Sequence, residues 1–171
     1  AHGINTGAGA IVGVIDGGVN YNHPIFDGMV QSGYDYVDDD TDAFDEEGGA
    51  NSGHGTFVAG VIHLVAPDAT IRAYRVSDRS GNSDGYLVAE AILQAVEDGC
   101  NVINLSMVMT SEHSAIKDAL GYARANDVMV IVAAGNGQSD VTTYPASDPN
   151  TICVAALDTL NRLADFSRYG A

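Results

Sequence analysis

Short unbroken apolar runs alternate along this chain with stretches in which apolar residues return at helical spacing. Ile11-Val12-Gly13-Val14-Ile15 is the first run, and Asn101–Ser106 and Val128–Ala134 repeat it. Such runs suit strands buried on both faces of a parallel sheet. Thr70–Ser77 alternates well enough for a further strand, and Thr151–Ala156 gives a last short one. Between them, Leu87, Val88, Ala91, Ile92, Ala95 and Val96 share one face of a helix, with Asp84 placed as its N-cap and Gly99 as its stop. Ile116, Ala119, Leu120 and Ala123 do the same for a helix from about Ser111 to Ala125, and a third helix runs from His54 towards Pro67. Asn20–Asp27, Asp78–Asp84 and Thr142–Asn150 read as loops, Gly33–Gly53 as a surface loop with a short strand at Tyr34–Val37, and Asp158–Ala171 as an exposed connection. The alternation predicts an α/β fold: a doubly wound, mostly parallel sheet with helices on both faces. Ligands of such sheets gather at the carboxyl ends of the strands. Asp16, Ser106 and Asn136 all fall there.

Composition narrows the picture. The 171 residues suffice for one domain with a real core, and 46% of them are hydrophobic. The longest apolar run, Val128–Ala134, is far too short to cross a bilayer. The formal net charge is −16, from 23 acids against 7 bases. That balance argues against nucleic acid and against anionic membrane surfaces as partners, and leaves metal cations open. Much of the acidity sits in one segment, where Asp38, Asp40, Asp42 and Asp45 are candidate ligands for a structural calcium ion. A merely solvated acidic loop is the rival reading of that segment. Cys100 and Cys153 fall at or within buried strands and read as free, apolar-packed thiols.

Asn51–Gly60, NSGHGTFVAG, concentrates the chemistry. It sets His54 at a helix start between Gly53 and Gly55, where another backbone can come close. The helix dipole there disfavours an imidazolium, so the ring is expected neutral and ready to accept a proton unless a carboxylate offsets the dipole. Taken with VIDGGV around Asp16 and VAAGN ending at Asn136, this block resembles the subtilisin-like serine proteases, the subtilase superfamily. Val65–Val76 and Val102–Ser106 look like the same family, so the resemblance runs over nearly the whole chain.

The resemblance implies a subtilisin-like catalytic domain over residues 1–171, seen as its N-terminal portion, with the remainder absent or on another chain. In it, Asp16 orients His54, His54 serves as general base and then general acid, and the Asn136 carboxamide donates to the oxyanion. Ser80, Gly81 and Asn82, together with Ser106, Met107 and Val108, would bind an extended polypeptide substrate by strand addition. The family's glycine pair after the pocket serine is replaced by Val108-Met109, which either narrows the first pocket or merely fills space. Gly60–Pro67 is too short to hold the loop that many relatives insert in this helix for a tight calcium site. No serine here stands in a G-T-S-M-like block, so the nucleophile is expected on a C-terminal fragment or second chain, and this polypeptide alone is expected to be inactive. The chain opens without Met and reads as cut from a longer precursor. A propeptide or inhibitor is a further implied partner, no cofactor is needed for the chemistry, and a secreted or cell-surface location is implied. Two rivals stand beside this reading: a non-catalytic subtilase-like binding or scaffold module, and a phosphotransfer domain holding magnesium through Asp16.

Overall fold

The computed structural model describes residues 5–170. Its elements run β1 (Ile11–Asp16), a 3-10 turn (Pro24–Phe26), β2 (Val30–Asp35), α1 (His54–Val65), β3 (Thr70–Arg75), α2 (Gly85–Glu97), β4 (Val102–Leu105), α3 (Ser114–Ala125), β5 (Met129–Ala133) and β6 (Thr151–Val154). Among the described residues six strands form one sheet in the order β2-β3-β1-β4-β5-β6, and every pairing is parallel. The α/β expectation therefore holds.

Alternation along β1 divides the core between the two faces of the sheet. Val14 joins Ile71, Ala73, Val30 and Phe26 on one side, covered by Ala59 of α1. Ile15 joins Tyr74, Ile103, Leu105, Val130 and Val132 on the other, covered by Ile92 and Ala95 of α2 and by Ile116 and Leu120 of α3. The strand order reverses at β1: β3 and β2 lie to one side, β4 to β6 to the other. A crevice opens at such a point, outside the carboxyl ends of the central strands, and Asp16 closes β1 there.

Most boundaries fall where the pattern puts them. Asp84 caps α2 by accepting from the Tyr86 N–H at 2.8 Å. Gly99 ends it with φ 77°, while the Asp98 N–H and Cys100 N–H bond back to Gln94 and Ala95. Three expectations shift. The strand before the acidic segment is Val30–Asp35 rather than Tyr34–Val37. As an edge strand it packs through few residues and so lacks an apolar signature, and its register breaks between Ser32 and Asp35. The third helix begins at Ser114, not Ser111. The stretch from Asp158 is not simply exposed: Ser167 is 2% exposed and its hydroxyl accepts from the Ala156 N–H at 2.9 Å, although Ala171 lies outside the described residues.

The acidic segment is likewise no free loop. Arg75, at the end of β3, is 3% exposed and reaches Asp35 and Asp38 at 2.6 Å and Glu46 at 2.8 Å. Ala43 and Asp45 are buried. Elsewhere apolar side chains stay open to solvent: Phe57 and Val61 on α1, and Ile152 and Val154 on the edge strand β6. Neither cysteine is in a disulfide; Cys100 is buried and Cys153 half-buried. No helix among the described residues is long and apolar enough to cross a membrane.

Candidate active site

Asp16 ends β1 with its side chain 4% exposed, and its Oδ1 accepts from the Gly17 N–H at 2.7 Å. The first residue of α1 meets it. His54 Nδ1–H donates to Asp16 Oδ1 at 2.8 Å and Oδ2 at 2.9 Å. This fixes the tautomer, leaving Nε2 unprotonated. Nε2 has no hydrogen-bond partner among the described residues, and His54 lines an open cleft of about 480 Å³.

Close packing brings the two groups together. Gly55 follows His54 and lies against the turn after β1; a Cβ there would collide with the Gly18 carbonyl oxygen and stand 3.1 Å from the Asp16 Cβ. Gly18 itself needs φ 92° to make that turn. Gly55→Ala is therefore expected to push α1 off β1 and lengthen the His54–Asp16 hydrogen bond. A destabilisation of about 1–3 kcal/mol from overpacking, read by urea unfolding, checks the first consequence.

Electrostatics at His54 differ from the simple helix-end expectation. The hydrogen bond that His54 donates to Asp16 raises the imidazole above its ordinary value of 6.5, burial opposes this, and the charges of Asp16 and Asp45 add to the rise.

The cleft gathers several of the residues expected to bind substrate. Gly81, Ser106, Met107 and Val108 line it with Asp16 and His54, whereas Ser80 and Asn82 do not. The Ser80–Asn82 turn is built on Asp78, whose carboxylate takes the Ser80 and Asn82 N–H groups at 2.8 and 2.9 Å and is held below the usual carboxylate range by those bonds and the Asn82 side chain. Ser106 accepts from Asn104 Nδ2 at 2.9 Å. Val108 is 52% exposed at the cleft wall, so it is no core filler. Asn136 sits beyond β5 on the same sheet edge, exposed, outside the residues that line the cleft. Its carbonyl accepts from Arg168 Nε at 2.8 Å, and its carboxamide has no hydrogen bond among the described residues.

Sequence reasoning missed three contributors. Asn51 lines the cleft and bonds Ser77 Oγ at 3.2 Å. His113 lines it from beyond β4, edge-on to Tyr86 with ring centroids 4.7 Å apart. Asn51 opens the Asn51–Gly60 block but receives no role from it, and nothing local in the sequence marks His113. Arg75 is the third; its strand, TIRAYR, carries a second arginine at Arg72, and the sequence does not show which of the two is buried among acids.

The four carboxylates expected to hold calcium each have a partner within the protein. Asp38 pairs with Arg75, Asp40 takes the Asp42 N–H, Asp42 takes the Tyr21 hydroxyl, and Asp45 takes the Gly53 N–H. Among the described residues no group of three or more His, Cys, Asp and Glu side chains is placed to hold a metal ion.

The chain thus presents a parallel doubly wound sheet with a carboxylate–imidazole couple at its switch point. The chain belongs to the subtilase family, whose model matches residues 7–171. It is 40% identical to a thermophilic serine proteinase of Bacillus sp. (strain AK1) over 95% of this chain and 42% of the relative. It is 36% identical to thermitase of Thermoactinomyces vulgaris over 98% of this chain and 62% of the relative. The chain thus spans about half the length of the relatives it matches. A solved lanthipeptide protease superposes with a TM-score of 0.89 at 28% identity, covering 99% of this chain and 55% of that one.

Proposed function

We propose that residues 1–171 are the aspartate- and histidine-bearing portion of a subtilisin-like catalytic domain, and that the complete protein is a serine endopeptidase. The observation that carries this reading is the two-oxygen grip of Asp16 on His54 Nδ1, at 2.8 and 2.9 Å, with Nε2 left over beside the cleft. A serine from a part of the protein outside these residues presents its hydroxyl to Nε2. His54 takes that proton as the oxygen attacks the peptide carbonyl, and Asp16 stabilises the imidazolium without itself being protonated. The proton then passes to the leaving amine. Asn136 donates its amide N–H to the developing oxyanion; one such donor contributes about 10²–10³ in rate. No cofactor enters these steps.

The substrate is an extended polypeptide. The main-chain groups of Met107 and Val108 have no hydrogen bond among the described residues and are available to pair with it, opposite the Ser80–Asn82 turn. A propeptide or inhibitor would use the same groups. A secreted or cell-surface location belongs to this proposal, as does a Ser-bearing segment packing over exposed Phe57 and Val61. Val108→Gly is expected to favour substrates with bulky side chains by about tenfold or more in kcat/KM, measured on paired peptides differing at one residue.

Because the general base must be neutral, kcat/KM is expected to fall as pH drops through the raised value of His54, so the acid limb lies above 6.5. Stability runs the other way. The raised value means that the protonated couple stabilises the fold fully below 6.5, and that contribution is lost as pH rises through the folded-state value. The experiment for the function is hydrolysis of denatured casein by the full-length protein and its His54→Ala variant. Cleavage that vanishes with the histidine supports the proposal. A folded full-length protein that cleaves nothing would establish the alternative, a non-catalytic binding or scaffold module.

A further inference from the structure

The helix that presents His54 has no cap of its own. Gly53 precedes it with φ 82° and brings no side-chain acceptor to the first turn. Those N–H groups need one. Asp45, 7% exposed, supplies it from the acidic segment. Oδ1 accepts from the Gly53 N–H at 2.9 Å, and Oδ2 accepts from the Thr56 hydroxyl and, at 3.4 Å, from the Thr56 N–H. Thr56 Oγ1 in turn accepts from the Asn20 N–H at 2.8 Å, in the segment that follows β1. One carboxylate therefore ties the start of α1 to the acidic loop and, through Thr56, to the strand that carries Asp16. No lysine or arginine pairs with Asp45 among the described residues. Its charge stands uncompensated at the positive end of the helix dipole, where an imidazolium at His54 would form.

We propose that Asp45 is a positioning residue for His54, capping α1 at the imidazole and adding a second carboxylate charge that favours the ring as it takes up a proton. This rests on reading His54 as the general base. Two charged groups act on the ring: Asp16 from β1, which holds Nδ1, and Asp45 from the loop, which reaches it through the first turn. Asp45 is thus spoken for by the helix. Its bonds to Gly53 and Thr56 account for the burial of this one carboxylate of the acidic segment.

The test is an NMR titration of the His54 ring in the full-length protein, comparing wild type, Asp45→Asn and Thr56→Val. Asp45→Asn keeps an acceptor for the Gly53 N–H and removes the charge; the His54 midpoint is expected to move down. Thr56→Val keeps the charge and loses the hydroxyl bond, so the midpoint should stay near wild type while the melting temperature falls. An unchanged midpoint in folded Asp45→Asn would overturn the proposal. If Asp45→Asn does not fold, Asp45→Ser retains a small acceptor without charge and is read the same way. Ring resonances report whether or not the protein cleaves anything, so failure here is distinct from failure of the proposed activity.

Discussion

Asp16→Asn in the complete protein is expected to lower kcat by about 10⁴-fold while leaving KM within a few-fold of wild type. Two effects combine. The carboxylate accepts the Nδ1 proton and so leaves Nε2 free to act as a base; an asparagine amide can donate to Nδ1 and favour the opposite, unreactive tautomer. The charge that offsets the forming imidazolium also disappears. Asp16 is 3% exposed, behind the His54 ring, so a bound peptide has little to lose directly. Steady-state kinetics on a chromogenic peptide make the comparison, and a loss below tenfold would mean that the couple seen here is structural.

Arg75→Ala is expected to be the most destabilising single change outside the core, at about 3–5 kcal/mol in urea unfolding. Arg75 and Asp35 are 3% and 2% exposed, with 2.6 Å between Nη1 and Oδ2. Removing the guanidinium strands a buried carboxylate and leaves Asp38 and Glu46 as like-charged neighbours. Asp35 keeps only the Val37 and Asp38 N–H groups, at 2.8 and 3.1 Å. Arg79, which shares Glu46 at 2.7 Å, is the control: at 59% exposure it is screened by solvent, and its loss should cost far less than that of Arg75. The consequence reaches the site because Arg75 lies opposite Asp16 in the β1–β3 register and fastens the loop that leads into α1. Equal effects of the two arginines would remove the buried network from the explanation.

These two residues also mark what could and could not be read from the chain. Asp16 was legible because a both-faces-buried strand ending in an acid is a pattern of consecutive residues, and so was His54 between its glycines. Their meeting was legible only through the family resemblance carried by the blocks around each. Arg75 and Asp45 were not legible in the same way. The acids that hold Arg75 lie 29 to 40 residues from it in sequence, and a run of aspartates, Asp45 among them, looks alike whether it is solvated, gathers a cation or is dismantled one carboxylate at a time by an arginine, a tyrosine and a helix end. The edge strand β2 was displaced for a related reason: Val30 and Asp35 are its buried residues, leaving too little periodicity to register. His113 reaches the cleft only through the fold, from a loop whose local sequence carries no chemical signature, and Asn51 stands in the His54 block without a role that the block alone assigns.

The most direct measurement is fluorophosphonate labelling of the full-length protein followed by peptide mapping, with His54→Ala alongside. One modified serine lying outside these 171 residues, labelled in wild type and not in the variant, is the expected result. Label on Ser106 or any other serine of this chain, or labelling indifferent to loss of His54, would contradict it.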